Sequence, residues 1–498
     1  MAKQISYLGI DLGEERTKLV TFDITGRPQL VPNDEGELYT PTAVYVDPAD
    51  GTVVIGKPAF RAAVLGDPKQ LATNFKRHLG KPDILVSGGG KDFTAADLAA
   101  EVVKKCVTYL PEPPTHISGS IPPKATQAAR DALYAILEAT GAEVLHVKPE
   151  PLCAVAHFDH DSTSLVVDGG GSTVDSVLST RTGTELSVKS YGTTNKAGHE
   201  LTMAIMDHAV RKFSAQFGPL REDDQPLVWR SLYSQAEQAK HALSRADTAT
   251  IALPHEGKVF SLKITEEEFT ALTKDIIEEI VNDVKDVVER GGGHFDDLIF
   301  VGGSAHVRAV REAIVTALNK KPLPLADPLF AVPLGGGVLA RVLASGQTLG
   351  NRILPPLDEL NEVRDKSPKS LGIIYVNTAD EKRLKVHIGE GTDLPASYTE
   401  RYAMIHAKQT SLELKVAQGE REALEDESEV LVNHSITGLP ATEDPDDHPF
   451  QITLHIDKDA RVTVDFKDGI SDREESMDFV YDEALADLRK RHKSEEVA

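Results

Sequence analysis

The feature that most constrains this chain is a motif that occurs twice: an apolar run ending in aspartate, a glycine turn and a second apolar run. It occurs in 5–23 (ISYLGIDLGEERTKLVTFD) and again in 164–180 (SLVVDGGGSTVDSVLST). Each copy predicts a β-hairpin, because two short apolar runs joined by a glycine-containing turn are typical of paired strands. Two copies predict a duplicated domain. Helical patterns alternate with strands between them, which favours an α/β sheet domain. The spacings Thr94-x-x-Asp97 and Thr265-x-x-Glu268 predict capping boxes at the starts of two of these helices.

The turn residues of both hairpins suit phosphate and Mg²⁺. Asp11 and Asp168 each end an apolar run directly before glycine. Turn glycines expose backbone N–H groups that bind phosphate, and adjacent carboxylates hold Mg²⁺ directly or through water. One copy alone would be read as a simple hairpin turn. Two copies, both followed by hydroxyl residues (Thr17; Ser172 and Thr173), favour a pair of phosphate loops.

Two further segments suit a nucleotide less specifically. Gly302-Gly303-Ser304 lies between a strand and a helix, an arrangement that permits close approach of a nucleotide. Glu237, Lys240, His241 and Ser244 share one helix face, which by itself is typical of a solvent-exposed stripe. The chain contains no GxxxxGK[ST] sequence, so a Walker-type phosphate loop is excluded.

Charge and composition exclude several classes of protein. The chain has 498 residues, too long for one core, and a formal net charge of −24, which disfavours nucleic acid as a partner. Cys106 and Cys153 lack a metal-ligand spacing, and His157 and His160, which could suggest a metal, have no third ligand in view and are expected at the surface. Neither a signal peptide nor a long apolar segment is apparent, so a cytoplasmic protein without a membrane segment is expected.

The pattern changes near residue 347. The polar, proline-containing stretch that follows indicates a linker, and after it the helical period gives way to short runs with alternating apolar residues. QITLHID and RVTVDF alternate around the turn DKDA and predict an antiparallel hairpin. The last, highly charged stretch predicts a single helix or tail.

In order along the chain, these and other motifs resemble the heat shock protein 70 family. The similar segments are IDLG (10–13), the segment around Lys76, IPP (121–123), KPEPLCAVAH (148–157), VDGGGSTVD (167–175), AEQAKHALS (236–244), FVGGSAHV (300–307) and SLGIIYV onward. The resemblance implies an actin-like, two-lobed α/β ATPase followed by a small antiparallel β-sandwich. The implied limits are 1–347 for the ATPase, 348–366 for the linker, 367–470 for the β-sandwich and 471–498 for a short helix or tail.

The resemblance also assigns residues to roles. Catalytic roles fall on Lys76, Glu150, Asp168, Thr173, Asp175 and Asp11. Contacts with ATP or ADP fall on Gly13, Gly170, Gly171, Gly198, Glu237, Lys240, His241, Ser244, Gly302, Gly303, Ser304 and His306. Mg²⁺ is assigned to Asp11 and Asp168, mostly through water, and a peptide groove to Val376, Tyr402, Ile405 and Leu412. The implied partners are extended apolar polypeptide segments, a J-domain co-chaperone and a nucleotide exchange factor.

The chain departs from the family at functional positions. Glu14 and Glu15 stand where the family has threonines, and like charge should repel a triphosphate there. Ser172 replaces a glycine, His306 an adenine-stacking arginine and His146 an arginine that co-chaperones contact. ILPPLDEL replaces the leucine-rich linker, and the long helical lid is reduced to one short helix.

These features predict an ATP-dependent chaperone with slow hydrolysis, and three alternatives remain open. A nucleotide-gated binding module without hydrolysis is favoured by Glu14 and Glu15. An actin-like sugar kinase or filament protein is disfavoured, because neither requires the C-terminal β domain. An adaptor with a decayed site is disfavoured by Lys76 and the retained carboxylates.

Overall fold

The computed structural model describes residues 6–325, 328–345, 348–349, 352–353, 360–377, 379 and 381–478. Among these residues it divides into two compact units, one formed by 6–123 and 132–362 and the other by 124–131 and 363–478. Within the described ranges, no helix is both long enough and apolar enough to cross a membrane.

The chain from residue 7 to residue 364 alternates between strands and helices. The strands are β1 (Tyr7–Leu12), β2 (Arg16–Phe22), β3 (Pro28–Leu30), β4 (Thr40–Pro41), β5 (Ala43–Val46), β6 (Val53–Ile55), β7 (Leu71–Thr73), β8 (Ile84–Gly88), β9 (Lys91–Thr94), β10 (His116–Ile121), β11 (Glu143–Pro149), β12 (Ser162–Gly169), β13 (Val174–Thr182), β14 (Glu185–Thr194), β15 (Thr248–His255), β16 (Lys258–Thr265), β17 (Asp297–Val301), β18 (Thr348–Leu349), β19 (Arg352–Ile353) and β20 (Glu362–Arg364). The helices are α1 (Lys57–Leu65), α2 (Ala95–Val107), α3 (Gln127–Glu138), α4 (Glu150–Ala156), α5 (Gly198–Phe217), α6 (Pro226–Leu243), α7 (Glu266–Leu272), α8 (Lys274–Arg290), α9 (Arg308–Leu318) and α10 (Ala331–Leu343).

Two sheets in this unit repeat one arrangement, as the duplicated motif predicts. In the first, β1 pairs in parallel with β10 and antiparallel with β2, which in turn pairs with β3. In the second, β12 pairs in parallel with β17 and antiparallel with β13, which pairs with β14. Both predicted hairpins are therefore confirmed, and each aspartate lies near the end of the first strand of its hairpin.

Helices cover these sheets because their apolar faces need burial. Leu201 and Ile205 of α5, Leu232 of α6 and Ile280 of α8 join one buried cluster with the strand residue Leu165. Local signals fix where helices begin: capping boxes join Thr94 to Asp97 at α2 and Thr265 to Glu268 at α7, as their spacing predicts.

The second unit is a pair of antiparallel sheets. Its strands are β21 (Leu371–Val376), β22 (Lys382–Ile388), β23 (Ala396–Ala403), β24 (Ser411–Gln418), β25 (Glu429–Thr437), β26 (Pro449–Ile456), β27 (Val462–Asp468) and β28 (Glu474–Asp478). One sheet has the order β22-β21-β24-β25 and the other β23-β26-β27-β28. The alternating apolar side chains of both sheets form a common core, in which Leu454 and Val464 lie opposite each other on β26 and β27. The predicted hairpin around DKDA is confirmed.

Two expected boundaries differ from the structure. The segment expected as linker contains the short antiparallel pair β18 and β19, followed by β20. β28 extends the β domain beyond the expected limit of 470. Among the described side chains of β28, Met477 packs against the core and the others are polar or charged. The strand is held by backbone pairing with β27, which its charged sequence did not predict. The helix or tail expected beyond residue 478 lies outside the described residues.

Candidate functional site

The two aspartates of the duplicated motif are buried at equivalent positions. Asp11 is 5% exposed and lies opposite Lys18 in its hairpin, while Asp168 is 6% exposed and lies opposite Asp175. Lys18 Nζ donates to Asp11 Oδ2 at 2.7 Å, so the first carboxylate is neutralised by its neighbour on the next strand. The second hairpin pairs two carboxylates instead.

The turns after these strands approach each other closely. We call 13–15 the first loop, 169–173 the second loop and 302–304 the third loop. A Cβ atom at Gly171 would lie 3.0 Å from Cβ of Glu14, so the first loop contacts the second. A Cβ atom at Gly302, where φ is +77°, would lie 2.3 Å from Asp168 Oδ1. Only glycine fits there, and the third loop thus closes onto the second aspartate.

Backbone and hydroxyl groups join the second loop to α5 and the third loop. The Gly198 and His199 N–H groups at the start of α5 donate to the carbonyl oxygens of Gly170 and Gly171, at 3.2 and 2.8 Å. Ser304 Oγ donates to the Gly170 carbonyl at 2.6 Å. The structure therefore brings together the predicted residues Gly170, Gly171, Gly198, Gly302 and Ser304.

Lys76 and Glu150 form an ion pair in the same region. Lys76 opens the 3₁₀ helix Lys76–His78, Glu150 opens α4, and Nζ lies 2.5 Å from Oε1. Burial lowers the pKa of Lys76, but Glu150 and Asp11 outweigh that effect and raise it to about 12. Lys76 is therefore a fixed positive charge among the predicted catalytic carboxylates.

The environment of the second hairpin raises the pKa of both of its aspartates. Burial, then the neighbouring charges of Glu150 and Asp11, raise the pKa of Asp168 to about 7. Burial and Glu150 likewise raise the pKa of Asp175, whose Oδ2 accepts a hydrogen bond from Thr173 Oγ1 at 2.7 Å. Buried carboxylates this close to each other are the environment in which a divalent cation is stabilised.

The donor set fits a hydrated cation better than a directly bound one. Within the described part of the chain, no group of three or more His, Cys, Asp or Glu side chains could hold a metal ion. Mg²⁺ usually keeps several waters and is bound through one or two carboxylates. Asp11 and Asp168, assigned to Mg²⁺ mostly through water, are consistent with that mode.

The predicted adenosine helix is only partly exposed. Lys240 of α6 is 2% exposed, and its Nζ donates to the Gly198 carbonyl at 2.9 Å. Burial lowers the pKa of Lys240, against the opposing effect of Glu15 and Glu237. Ser244 donates to the Lys240 carbonyl at 3.2 Å, whereas His241 is exposed. The face is thus not a solvated stripe, because its lysine is turned toward the start of α5.

Other predicted residues lie at the margins of the candidate site. His306 ends the 3₁₀ helix Ser304–His306 and is exposed. Gly303 precedes it, and Gly13 opens the first loop. A cavity of about 780 Å³ is lined by Glu14, Glu15, Glu237 and aromatic side chains, among them Trp229 and Tyr233. Lys76 and the two hairpin aspartates do not line this cavity, which therefore adjoins the loops rather than enclosing them.

Sequence reasoning missed three charged residues of the site. Arg77 Nε lies 3.2 Å from Glu14 Oε1, and Arg77 Nη1 lies 3.3 Å from Glu200 Oε1. The hairpin register would have identified Lys18, which stands opposite Asp11. No local pattern marks Glu200, whose other oxygen accepts the Ala197 N–H at the start of α5 at 3.0 Å.

The predicted peptide residues lie in the second unit at different depths. Val376 and Ile405 are 51% and 71% exposed, whereas Tyr402 and Leu412 pack against the core. Because β21 and β24 run antiparallel, Val376 at the end of one strand and Leu412 near the start of the other lie at the same end of their sheet. β21 pairs with β24 only over Leu371–Ile373, although β24 pairs with β25 along its length.

Comparison with known proteins agrees with this architecture. The model of the family described as Hsp70 protein matches residues 7–494. The chain is 30% identical over 490 residues to proteins named chaperone protein DnaK from two strains of Halobacterium salinarum, a match that covers 94% of this chain and 74% of each relative. The chain therefore belongs to the Hsp70 family, whose members are chaperones and ATPases that use ATP or ADP with Mg²⁺. The predicted family and fold class are confirmed.

Proposed function

We propose that this protein is an ATP-dependent chaperone that hydrolyses ATP slowly and binds extended apolar polypeptide segments. The observation that carries the nucleotide site is the convergence of three glycine loops: the first approaches the second at Gly171, and the third closes onto Asp168. The buried Lys76–Glu150 pair is near enough for its charges to act on Asp168. Membership of a family of chaperone ATPases supports the same reading.

The roles of the residues follow from charge and position. Asp11, Glu150, Asp168 and Asp175 would hold Mg²⁺ and its waters, and the bound ion would neutralise phosphate charge. Lys76, charged and already oriented by Glu150, would contact the terminal phosphate and the attacking water. The N–H groups of the second loop and the Thr173 hydroxyl would bind phosphate oxygens.

Single-turnover hydrolysis tests the enzymatic part. Lys76→Ala should slow turnover by about 100-fold and leave ATP binding near normal, because one transition-state charge contact is lost. Lys81→Ala, which removes an exposed lysine five positions away, is the matched control and should behave as wild type. Equal turnover in both variants would remove Lys76 from the catalytic assignment.

A second candidate, a nucleotide-gated binding module without hydrolysis, is favoured by the buried Glu14 carboxylate in the first loop. Wild-type protein that binds ATP but shows no turnover above buffer would establish this alternative. Glu14→Thr combined with Glu15→Thr should then restore some turnover, since both negative charges are removed.

The opening between β21 and β24 supports a peptide groove. Beyond Ile373 and Val416 the two strands do not pair with each other in the described residues, so an extended peptide could use their free backbone groups. Leu412→Phe should fill the apolar wall and weaken binding of a leucine-rich peptide, measured by fluorescence anisotropy in ATP and in ADP. Ile470→Phe enlarges an exposed residue of the same unit and is the control. If wild type binds no apolar peptide in either state, the β domain is not a client site.

A J-domain co-chaperone and a nucleotide exchange factor would complete the cycle. The position that resembles a co-chaperone-contacting arginine is His146, which is 1% exposed and shares a hydrogen bond with the Gly336 carbonyl. A buried imidazole offers a partner no surface charge, so we expect a J-domain protein to stimulate turnover weakly. Strong stimulation in a turnover assay would contradict this expectation.

A further inference from the structure

Glu14 places a carboxylate inside the phosphate end of the candidate site. Glu14 is 4% exposed, its side chain approaches the second loop at Gly171, and its carboxylate oxygen Oε1 pairs with Arg77. Its other oxygen, Oε2, is buried and has no hydrogen-bond partner among the described residues. Burial of a carboxylate whose second oxygen has no hydrogen-bond partner destabilises the fold unless nearby positive charges compensate for it.

The positively charged side chains near Glu14 stabilise its charged form. Burial raises the pKa of Glu14, and the positive charges of Arg77 and Lys76 oppose the rise. Arg77 bridges Glu14 and Glu200, and Lys76 is paired with Glu150. Each of these cations therefore has a carboxylate partner before any phosphate arrives.

The neighbouring carboxylate has a different environment. Burial raises the pKa of Glu15, and the charges that act on it belong chiefly to Lys240 and Glu237 of α6. Glu14 thus faces the lysine and arginine of 76–77, while Glu15 faces the helix assigned to adenosine. The two adjacent residues divide the cleft into a phosphate side and a nucleoside side.

We propose that Glu14 acts as an internal anion that takes the place of a terminal phosphate beside Arg77, so that this site binds ADP more tightly than ATP. The proposal rests on the proposed function, because it concerns the same nucleotide site. A third phosphate would add negative charge next to a buried carboxylate and compete with it for Arg77. A diphosphate leaves the Glu14–Arg77 pair intact.

Isothermal titration of the full chain with Mg·ATP and with Mg·ADP tests this preference. The single tryptophan, Trp229, lines the adjoining cavity and gives a second readout by fluorescence. Wild type should bind ADP about tenfold more tightly than ATP, as expected for one added charge beside a partly screened carboxylate. Glu14→Gln should raise ATP affinity about tenfold, leave ADP affinity nearly unchanged and so remove the difference.

Glu15→Gln is the matched control, since it removes an adjacent carboxylate that faces the nucleoside side. It should shift ATP and ADP affinities by the same factor. Glu14→Thr gives a smaller second variant in case a buried glutamine disturbs folding, which a melting curve would reveal.

The outcomes separate this proposal from the proposed function. If wild type binds ATP as tightly as ADP, or if Glu14→Gln changes both affinities equally, the role of Glu14 is wrong while the nucleotide site stands. If neither nucleotide binds to wild type or to the variants, the proposed function fails and the role of Glu14 fails with it.

Discussion

The two hairpins of the N-terminal unit share a backbone and differ in charge. In both, the aspartate of the first strand faces a residue seven positions later on the second strand, Lys18 opposite Asp11 and Asp175 opposite Asp168. The first hairpin contains an ion pair 2.7 Å long, and the second contains two buried carboxylates. One duplicated fold therefore carries one neutralised and one unneutralised aspartate.

This difference indicates that the two hairpins have different roles. Asp11 already has a counter-charge in Lys18, whereas Asp168 and Asp175 are paired buried carboxylates that are stabilised more strongly when a cation or a proton arrives. Burial, together with the charges of Glu150 and Asp11, raises the pKa of Asp168 to about 7. We therefore expect ligand-dependent effects to be concentrated in the second hairpin.

The largest expected effect is on nucleotide binding. Asp168→Ala should weaken Mg·ATP binding by about 100-fold and abolish most of the ATP-induced rise in melting temperature, because a ligand stabilises only the state that it binds. Thermal shift and calorimetry measure both quantities. An equal melting shift in wild type and variant would mean that the second hairpin does not hold the nucleotide.

The protonation of Asp168 should appear as a pH dependence of stability without ligand. Its native pKa of about 7 exceeds the unfolded value of about 3.9, so the native state holds the extra proton between these values. The free energy of unfolding should therefore fall as pH rises from about 4 to 7, by at most about 1.4 kcal/mol per pH unit.

Chemical denaturation in EDTA at several pH values measures this slope, and Asp168→Asn is the reference because it lacks the titrating group. The difference between wild type and variant isolates Asp168 from carboxylates such as Asp297, whose lowered pKa acts in the opposite direction at lower pH. Parallel profiles for the two proteins would contradict the raised pKa.

Sequence reasoning recovered what depends on local pattern. The hairpins, the capping boxes at Thr94 and Thr265 and the alternating strands of the β domain followed from turn chemistry and periodicity. β28 was missed because its sequence has no apolar period: Met477 packs against the core, and the strand is otherwise defined by its backbone pairing with β27.

The structure places many of the predicted glycines and carboxylates close together, but the sequence did not predict which charged residues pair around them. Arg77 reaches Glu14 and Glu200 over separations of 63 and 123 residues, and no local pattern encodes such contacts. Lys240, which the resemblance assigns to the nucleotide and whose helix pattern alone is typical of a solvated face, is buried against the Gly198 carbonyl. That contact is made only when α5 and α6 pack. Long-range packing therefore determines which charged side chains contact each other.

The Lys18–Asp11 ion pair of the first hairpin gives a further test of the difference between the two hairpins. Lys18→Ala would leave Asp11 buried without its cation and should lower the free energy of unfolding by about 2 kcal/mol, since removal of one partner of a buried pair is costly. The double variant Lys18→Ala with Asp11→Asn should recover part of that loss. Denaturant unfolding measures both, and an unchanged midpoint for Lys18→Ala would show that the ion pair does not neutralise Asp11.

The smallest expected effect has the opposite sign. Asp175→Asn removes one of two facing carboxylates, and its side-chain oxygen can still accept the Thr173 hydroxyl. Without ligand, the variant should be more stable than wild type by about 1 kcal/mol, because repulsion and the burial of a charge are both relieved. At the equivalent contact of the first hairpin, Asp11→Asn should destabilise, because Lys18 would lose its counter-charge. Melting curves of the two asparagine variants in EDTA compare the hairpins directly. Shifts of the same sign would mean that the two aspartates have the same electrostatic environment despite their different neighbours.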